Sequence, residues 1–513
     1  MNLNKVLEEN KRLKLLLEQA EATIKNLNEK NNELLKKVET LEEKLRIKRV
    51  IQIVPKSEKN KTLIVDDTEK IFRNVKKSRV GEKHKNAFAD VDWERHVSDI
   101  IVLEPDQEYC PICGEKLIEF SENIKYVVNV VKQDFKVTKI IKKNFKCPNC
   151  NSKNGQIFYP LSNDVFGNSI LTPSLASYIA NIKFELGVPY HHLAKYLTEQ
   201  IGLPLSKQLL AGYMEQTAKL LKPIYDKMAC DLINNSSHVI HADETPLVIK
   251  KRPEEDKGRQ KSYVLLFSSS FYGEQINIYK FSVSRSCDNI YDFLKDFNGY
   301  LVCDDYPGYD SVAKLNKNLI LQRCWVHARR NFENILKALP KNKIQGSATK
   351  EFIDLIDKLF DYERNYRSKK MTPNEIKIAR NKDHIPILQK IKIKLELKSY
   401  QEGTALYDAV KYVVKNREEL TTYLLDGHIE IHNNIAERAI KPFVVQRKVF
   451  MASNTYNGAN VMAILFSIIR TAKINMLDVQ TYLQYILENS NKQDIEKLLP
   501  YAKEMKEKFS IKM

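Results

Sequence analysis

A succession of short apolar runs between residues 238 and 324 constrains the fold of this chain more than any other feature. Runs rich in β-branched and aromatic residues, bounded by turn residues, predict strands. Five such runs lie at 238–243, 261–268, 275–283, 299–303 and 319–324. Helix-like segments at 288–297 and 309–315 separate the last three. The order is therefore three strands in a meander, then helix, strand, helix and strand, which is the order of a ribonuclease-H-like α/β sheet.

Two acidic residues follow strands that we expect to be neighbours in this sheet. The first strand, in the stretch His-Val-Ile-His-Ala-Asp-Glu-Thr-Pro, is predicted to end at Asp243 in a proline turn. The fourth strand is followed by Asp304 and Asp305. In the predicted layout the ends of these strands lie side by side, so Asp243 and Asp304 are expected to share one metal site. Glu244 is expected to be a supporting or turn residue, because adjacent strand residues face opposite sides.

The totals indicate a soluble, multidomain protein with a polyanionic partner. A chain of 513 residues provides for roughly two to four domains. Its 83 Lys and Arg residues exceed its 65 Asp and Glu residues, and the formal charge of +18 favours a polyanion. The alternative is that the lysines only cover solvated faces. No secretory signal or membrane span is predicted, so we expect a cytosolic protein whose paired cysteines bind metal rather than form disulfides.

Residues 1–48 carry a heptad pattern that predicts a coiled coil. The a series is Leu3, Asn10, Leu17, Ile24, Asn31, Val38 and Leu45, and the d series is Val6, Leu13, Ala20, Leu27, Leu34 and Leu41. Asn10 and Asn31 at core positions favour a parallel dimer in fixed register. The alternative is a single amphipathic helix that packs on its own protein. Residues 49–89 are polar and Lys-rich, and they are predicted to be a linker that orders on DNA or serves only solubility.

Residues 90–165 contain two cysteine pairs that predict a zinc-binding β module. The pairs are Cys110-Pro-Ile-Cys113 and Cys147-Pro-Asn-Cys150, with 33 residues between them. Two such knuckles presented by a hairpin supply four thiolates in a tetrahedron, which is the ligand set of a closed structural Zn²⁺ site. The alternative is four free buried thiols.

Residues 166–235 are predicted to be helical. Helices at 190–200 and 206–228 are separated by a turn at 201–205, and Ser206 is a plausible N-cap. This arrangement is compatible with a helix-turn-helix that binds DNA. An ordinary helical hairpin between two domains fits equally well.

The predicted catalytic core is divided by an insertion. Its first part covers 236–336, a helical insertion covers 337–426, and the second part, with C-terminal helices, covers 427–513. After the insertion comes Asn433-Asn-Ile-Ala-Glu437, where Asn434 is predicted as an N-cap and Glu437 as the third helical residue. Glu437 has an ordinary explanation in this position, because Asn-x-x-Glu resembles a capping box and an acid complements the helix dipole.

The order of these segments resembles that of the DDE transposases of the insertion sequence 66 family over nearly the whole chain. The matching pieces, besides the zipper and the zinc module, are the Asp-Glu-Thr-Pro strand, Gly299–Tyr309, Cys324–Phe332 and Asn433–Pro442. The resemblance implies that Asp243, Asp304 and Glu437 form the catalytic triad. Two positions depart from the usual pattern: Asp305 stands where Gly is usual and offers a competing carboxylate, and His432 stands where Asp is usual.

The family implies cleavage of DNA and joining of the new 3′ end, with Mg²⁺ or Mn²⁺ held by the three acids. The candidate phosphate contacts are Arg329, Arg330, Arg438, Lys441, Arg447 and Lys448. The alternative for each of these residues is an exposed side chain that only contacts solvent. Cys324 and His327 are either half of a metal site or residues that pack beside Trp325 against the sheet.

The sequence therefore predicts a multidomain α+β or α/β transposase. We expect its partners to be the ends of its own mobile element, target DNA, further copies of the chain and accessory proteins of the same element. Its expected location is the bacterial cytoplasm, at the nucleoid. Two alternatives use the same residues: an inactive DNA-binding regulator derived from such an element, and a ribonuclease-H-like nuclease without joining activity.

Overall fold

The computed structural model describes residues 3–53, 145–146, 157–158, 165–167, 169–201, 205–250, 261–397, 400–450, 453 and 455–511. The chain divides into two compact units, Met1–Asn60 with Lys142–Met513 and Lys61–Ile141, and every described residue belongs to the first. The predicted zinc ligands Cys110, Cys113, Cys147 and Cys150 lie outside the described residues, as does most of the predicted linker. Two short strands, β1 (Phe145–Lys146) and β2 (Ile157–Phe158), pair antiparallel.

The N-terminal heptads form one helix, α1 (Leu3–Ile53), which continues five residues beyond the predicted end at residue 48. The apolar residues at its a and d positions, from Leu17 to Leu45, are half or more exposed within this single chain. Thr40 and Lys44 are partly buried, and both lie outside the a and d series. The apolar seam is therefore left facing solvent.

A five-stranded sheet forms the centre of the fold. Its strands are β3 (Val239–Leu247), β4 (Ser262–Ser269), β5 (Asn277–Ser282), β6 (Gly299–Cys303) and β7 (Leu319–Arg323). The order across the sheet is β5-β4-β3-β6-β7, with antiparallel pairing among the first three and parallel pairing of β3 with β6 and of β6 with β7. Apolar residues on β3, β4 and β6 are buried almost without interruption, as expected for a sheet covered on both faces.

The first core strand is longer than predicted: β3 does not end at Asp243 but continues to Leu247. Its parallel pairing with β6 ends at His241, opposite Val302, whereas its antiparallel pairing with β4 continues to Leu247. One edge of β3 is therefore open beyond His241. Proline lacks the N–H that a central strand needs, and Pro246 is tolerated in this strand because that edge is unpaired. Asp243 lies where the edge opens.

Helices cover the sheet and form the region before it. They are α2 (Pro173–Ala180), α3 (Tyr190–Ile201), α4 (Lys207–Ile233), α5 (Cys287–Leu294), α6 (Pro307–Leu315) and α7 (Trp325–Ala338). The Ser206 hydroxyl accepts a hydrogen bond from the Leu209 N–H at 3.1 Å, which confirms the predicted N-cap of α4. The buried face of α4, including Leu210 and Met214, packs on the protein core.

The stretch between the two parts of the core is mostly helical. It contains α8 (Ala348–Ser368), α9 (Pro373–Asp383), α10 (Ile385–Leu397) and α11 (Ala405–Lys415). The buried Arg380 donates to both carboxylate oxygens of Glu363, at 2.7 and 2.9 Å, and to the carbonyls of Tyr423 and Asp426. These bonds fix the helices to the segment that returns the chain to the sheet.

The remaining helices are α12 (Asn434–Phe450), α13 (Tyr456–Ile474), α14 (Val479–Asn489), α15 (Ile495–Leu498) and α16 (Lys503–Phe509). α13 packs on β5, where the Ser467 and Thr471 hydroxyls accept the backbone N–H groups of Tyr279 and Asn277. Within the described ranges, no helix is both long enough and apolar enough to span a bilayer.

Candidate active site

The carboxyl groups of Asp243, Asp304 and Glu437 interact electrostatically at the open edge of β3. Burial, together with the charges of Glu244, Asp304 and Glu437, raises the pKa of Asp243 to about 7, although a hydrogen bond from the backbone N–H of Glu244 opposes the rise. That N–H donates to Asp243 Oδ1 at 2.8 Å, and the Tyr306 N–H donates to Asp304 Oδ1 at 3.1 Å. The fold has thus gathered carboxylates from three separate parts of the chain.

Glu244 has partners of its own. Its Oε1 accepts from Arg285 Nε at 2.9 Å, and its Oε2 accepts from the Tyr309 hydroxyl at 2.7 Å. Burial, then the charge of Asp304, raises the pKa of Glu244, while Tyr309 and Arg285 oppose that rise. Arg285 and Tyr309 therefore hold this carboxylate without fully compensating its charge.

Asp305 is engaged elsewhere. Its Oδ1 accepts from Lys415 Nζ on α11 at 2.9 Å. The charge of Asp304 is among those that raise the pKa of Asp243. Asp304 therefore stays the predicted partner of Asp243, and Asp305 has a partner in Lys415.

Glu437 does not occupy the predicted capping-box position. Its N–H bonds to the carbonyl of Asn433 at 3.1 Å, so Asn433 is the residue before the helix and Asn434 the first helical residue. Glu437 Oε1 lies 3.7 Å from His327 Nε2, and Oε2 lies 3.8 Å from Arg330 Nη2. No hydrogen bond from the described part of the chain reaches Glu437 Oε1. The prediction of Asn434 as N-cap was wrong, because the helix already includes Asn434.

A buried network joins Asn433 to the strand that carries Asp243. The Asn433 side chain donates to the carbonyl of Ala242 at 2.7 Å, and its Oδ1 lies 3.1 Å from His241 Nδ1. The other ring nitrogen of His241 lies 2.8 Å from Glu430 Oε2. Burial raises the pKa of Glu430, but His241 dominates and lowers it to about 2. This network determines where α12 begins relative to β3, and so where Glu437 lies.

Cys324 and His327 face Glu437. Cys324 is the residue before α7, and its Sγ accepts from the Asn433 N–H at 3.2 Å. Ligand atoms of Cys324, His327 and Glu437 all lie within 4.8 Å of one another. Trp325, by contrast, packs inward and donates to the carbonyl of Leu420 at 2.7 Å. Both predicted alternatives stay open, because the three ligand atoms are close enough together for a metal ion and Cys324 is also buried next to Trp325.

The charge around His327 is negative. Burial lowers its pKa, but the neighbouring Cys324 thiol and Glu437 outweigh burial and raise the pKa to about 9. His432, by contrast, lies in surroundings that disfavour its protonated form, because burial and then the charge of Arg367 lower its pKa to about 3. Its ring stacks near Phe360 of α8. A neutral, packed His432 is therefore part of the interior and not of the acidic group.

Two predicted DNA contacts are engaged within the protein. Arg329 is buried, with bonds to Asp357 at 2.5 and 3.2 Å and to Glu333 at 3.0 Å, so the structure does not support a phosphate contact there. Arg447 donates to Thr245 Oγ1 at 2.7 Å and to the carbonyl of Pro246, which joins α12 to the end of β3. Charge type alone cannot distinguish such internal arginines from surface ones.

Three other predicted contacts lie on one exposed face of α12. Arg438, Lys441 and Lys448 are exposed, and their offsets of three and ten positions place them along one side of a helix. Arg330 is half-buried beside Glu437. We call the first three residues the basic stripe.

Four residues of the site region were not predicted from the sequence, namely His241, Glu430, Arg285 and Tyr309. A histidine in an otherwise apolar strand, two residues before Asp243, was the available signal for the network. Its partners are 189 and 192 positions away, so no local pattern could identify them.

A family model described as "Transposase IS66 family" matches residues 168–461, a range that includes Asp243, Asp304 and Glu437. Two similar proteins come from Sinorhizobium fredii (strain NBRC 101917 / NGR234). The uncharacterized protein y4jD is 27% identical over 422 residues, covering 78% of this chain and 79% of that protein. The uncharacterized protein y4hP is 24% identical over 416 residues, covering 78% of this chain and 72% of that protein.

The raised pKa of Asp243 makes a prediction about stability. The folded-state pKa of about 7 lies above the ordinary value of 3.8. The contribution of Asp243 to the free energy of unfolding is therefore fully present below pH 3.8 and is lost as the pH rises through 7. Asp243→Asn removes this loss, so at pH 8 the variant should be more stable to urea than the wild type by on the order of 2 kcal/mol, allowing for partial solvent screening. The gain should disappear near pH 4.

The matched control is Asp305→Asn, which removes a carboxylate already paired with Lys415 and should give no gain at pH 8. Adding Mg²⁺ should stabilise the wild type more than Asp243→Asn. Parallel stability profiles of the wild type and Asp243→Asn between pH 4 and 8 would show that the pKa of Asp243 is not raised.

Proposed function

Because this chain belongs to the IS66 family of transposases, we propose that it binds the ends of its mobile element and catalyses divalent-metal-dependent DNA cleavage and strand transfer. The observation that carries this proposal is the gathering of Asp243, Asp304 and Glu437 at one edge of the sheet. The strand order β5-β4-β3-β6-β7, with its antiparallel and parallel halves, supports a ribonuclease-H-like core.

The three acids fit a divalent cation. Burial and mutual repulsion make the ionised form of Asp243 unfavourable, and a bound cation would remove that penalty. Asp243, Asp304 and Glu437 would hold Mg²⁺ or Mn²⁺ through the oxygen ligands that these ions prefer. Such ions, as a pair, activate the attacking oxygen and stabilise the leaving oxygen of an in-line displacement at phosphorus.

The surrounding residues hold the acids in place. The network of Glu430, His241 and Asn433 ties the start of α12 to β3. Arg285 and Tyr309 bind the carboxylate of Glu244, whose charge acts on both Asp243 and Asp304. His327 and Arg330 lie beside Glu437 and balance its charge while no DNA is bound. In this proposal they are positioning residues, and the three carboxylates are the catalytic ones.

The basic stripe is the proposed phosphate-contacting surface. Arg438, Lys441 and Lys448 belong to the same helix as Glu437, and their side chains are exposed. Because one helix carries both Glu437 and these cations, phosphates bound by the cations would be held at a fixed position relative to the proposed catalytic acid. Exposed Lys and Arg release counterions when they neutralise phosphates, so their contribution depends strongly on salt.

The N-terminal helix is the proposed multimerisation element. Apolar side chains at the a and d positions of α1, including Ile24, Leu27 and Leu34, are about 60% exposed in the single chain. A parallel coiled coil would bury these positions against a second copy. Pairing two transposon ends requires more than one DNA-binding unit, and a dimer would supply it.

Further parts of the proposal rest on the sequence alone. They are a structural Zn²⁺ held by Cys110, Cys113, Cys147 and Cys150, a helix-turn-helix in 166–235, participation of accessory proteins of the same element, and action at the nucleoid.

Replacing the proposed catalytic acids should separate binding from chemistry. We expect Asp243→Asn and Glu437→Gln to bind end-containing DNA but to cleave it with Mg²⁺ about 10³-fold more slowly or worse, because several kcal/mol of transition-state stabilisation are lost. Asp305→Asn is the control and should retain cleavage. Cleavage and joining are scored on labelled ends in gels.

The alternatives give other outcomes in the same assay. A wild-type chain that binds the ends but never cuts them would be an inactive regulator. Cutting without joined products would indicate a nuclease. Full cleavage by Glu437→Gln would refute the assignment of the third acid.

Removing lysines of the basic stripe should weaken DNA binding to a similar extent for DNA of any sequence. We expect Lys441→Ala with Lys448→Ala to lower the slope of log affinity against log salt by about 1 for each lost phosphate contact. The control is Lys314→Ala with Lys317→Ala, which removes two exposed lysines near the end of α6. An equal effect of both pairs, measured by fluorescence anisotropy at several salt concentrations, would mean that the stripe has no special role.

Charges in the α1 seam should prevent multimerisation. Leu27→Asp with Leu34→Asp places two carboxylates at core d positions, so the mass from sedimentation equilibrium should fall to that of one chain. Ala22→Asp, on the outer side of the heptad, is the control and should leave the mass unchanged. A double variant that sediments like the wild type would show that another surface joins the subunits.

A further inference from the structure

We propose that Cys324, His327 and Glu437 form a second metal site, one that binds a thiophilic divalent ion such as Zn²⁺ and shares Glu437 with the acidic site. The combination of sulfur, imidazole nitrogen and carboxylate oxygen is unsuited to Mg²⁺, which prefers oxygen alone. It is a donor set that Zn²⁺ accepts, with the fourth position open to water or another ligand.

The distances fit such an ion. Ligand atoms of the three residues lie within 4.8 Å of one another, and His327 Nε2 and Glu437 Oε1 are 3.7 Å apart. Zinc bonds of about 2.0–2.3 Å place tetrahedral donors roughly 3.3–3.8 Å from each other, so small side-chain adjustments suffice. A separation of 3.7 Å is too long for a hydrogen bond between the two groups.

One helix presents both the sulfur and the imidazole. Cys324 directly precedes the 14-residue helix α7. Its Sγ also accepts the Asn433 N–H at 3.2 Å from the start of α12. His327 lies three positions further along, which brings its ring to the same side of α7. The Cys-x-x-His pair is thus presented by one helix and Glu437 by another.

Packing alone leaves polar atoms of this cluster without partners. His327 Nδ1 and Glu437 Oε1 are buried, and neither receives a hydrogen bond of ordinary geometry from the described part of the chain. Buried polar atoms in native proteins normally have partners, and atoms without one require an explanation. A bound ion would provide a partner for Glu437 Oε1, and a water molecule would provide one for His327 Nδ1, which lies across the ring from Nε2. His327 and Glu437 each keep about a quarter of their side-chain surface exposed, so an ion could enter.

Sharing Glu437 has a consequence that rests on the proposed function. A Zn²⁺ ion held by Cys324 and His327 draws Glu437 toward α7 and away from Asp243 and Asp304. Zinc would then inhibit a reaction that needs Glu437 beside Mg²⁺. The existence of the zinc site does not depend on this consequence, because binding can be measured without DNA.

The test counts zinc in the full-length, reduced protein after equilibration with Zn²⁺ and removal of free metal. We expect Cys324→Ser and His327→Gln each to hold one zinc per chain fewer than the wild type. Cys287→Ser, which removes a partly buried thiol on α5, is the control and should match the wild type. Any zinc on Cys110, Cys113, Cys147 and Cys150 is common to all variants and cancels in the difference. Circular dichroism confirms that the compared variants are folded.

Co²⁺ binding provides a second measurement, because its absorption spectrum reports directly whether a sulfur atom is a ligand. Co²⁺ bound by Cys324 contributes a sulfur-to-metal charge-transfer band, which Cys324→Ser should diminish and Cys287→Ser should not. Equal zinc content and equal cobalt spectra in the wild type, Cys324→Ser and His327→Gln would overturn the proposal. If Cys324→Ser fails to fold, the comparison of His327→Gln with the wild type decides.

The two proposals can fail separately. A wild-type chain that binds the additional zinc but never cleaves DNA supports the second site and refutes the proposed activity. A chain that cleaves DNA but holds no additional zinc does the reverse. If both are correct, cleavage by the wild type with Mg²⁺ should fall as Zn²⁺ is added. Relative to its own zinc-free rate, Cys324→Ser should then require more zinc for the same inhibition.

Discussion

The hydrogen bonds of His241 to Glu430 and Asn433 determine the geometry on which the candidate site depends. They join positions 189 and 192 residues apart, inside the protein, where bonds to charged groups are strong. His241 is two residues before Asp243, and Asn433 directly precedes the helix that carries Glu437. A displacement of either end of the network would move the two acids relative to each other. The site is therefore assembled by long-range polar contacts on a rigid strand.

The pairing of the strands determines where acidic side chains come together. The pairing of β3 with β6 ends at His241, so Asp243 emerges at an open edge beside the end of β6, where Asp304 lies. Glu244 pairs with Arg285 and Asp305 with Lys415, yet burial and the charge of Asp304 still raise the pKa of Glu244. The pKa of Asp243 rises to about 7, and the charge of Glu244 is the largest of those that raise it. Negative charge buried together in this way favours a bound cation.

The sequence predicted those parts of the fold that depend on local pattern. The strand at Gly299–Cys303 and the Ser206 cap were predicted correctly, because turn residues and capping chemistry act over a few positions. The length of β3 was not, because a strand with one open edge tolerates Pro246. Helix α12 begins one residue earlier than predicted, directly after Asn433, which bonds to a distant histidine. Arg329 looked like a surface cation because one of its acidic partners, Asp357, lies across a helix interface. The errors occur where tertiary contacts outweigh local preference.

Glu437 belongs to two sets of groups with different chemistry. On one side are oxygen donors from β3 and the end of β6, and on the other are a thiol and an imidazole at the start of α7. Hard and thiophilic ions sort themselves between such sets by donor type rather than by size. In the described structure Glu437 has weak contacts with His327 and Arg330 and no short bond that commits it to either side. The Glu437 side chain can therefore turn toward a bound ion on either side. The hydrogen bonds of Asn433 keep the backbone of α12 fixed while the side chain moves.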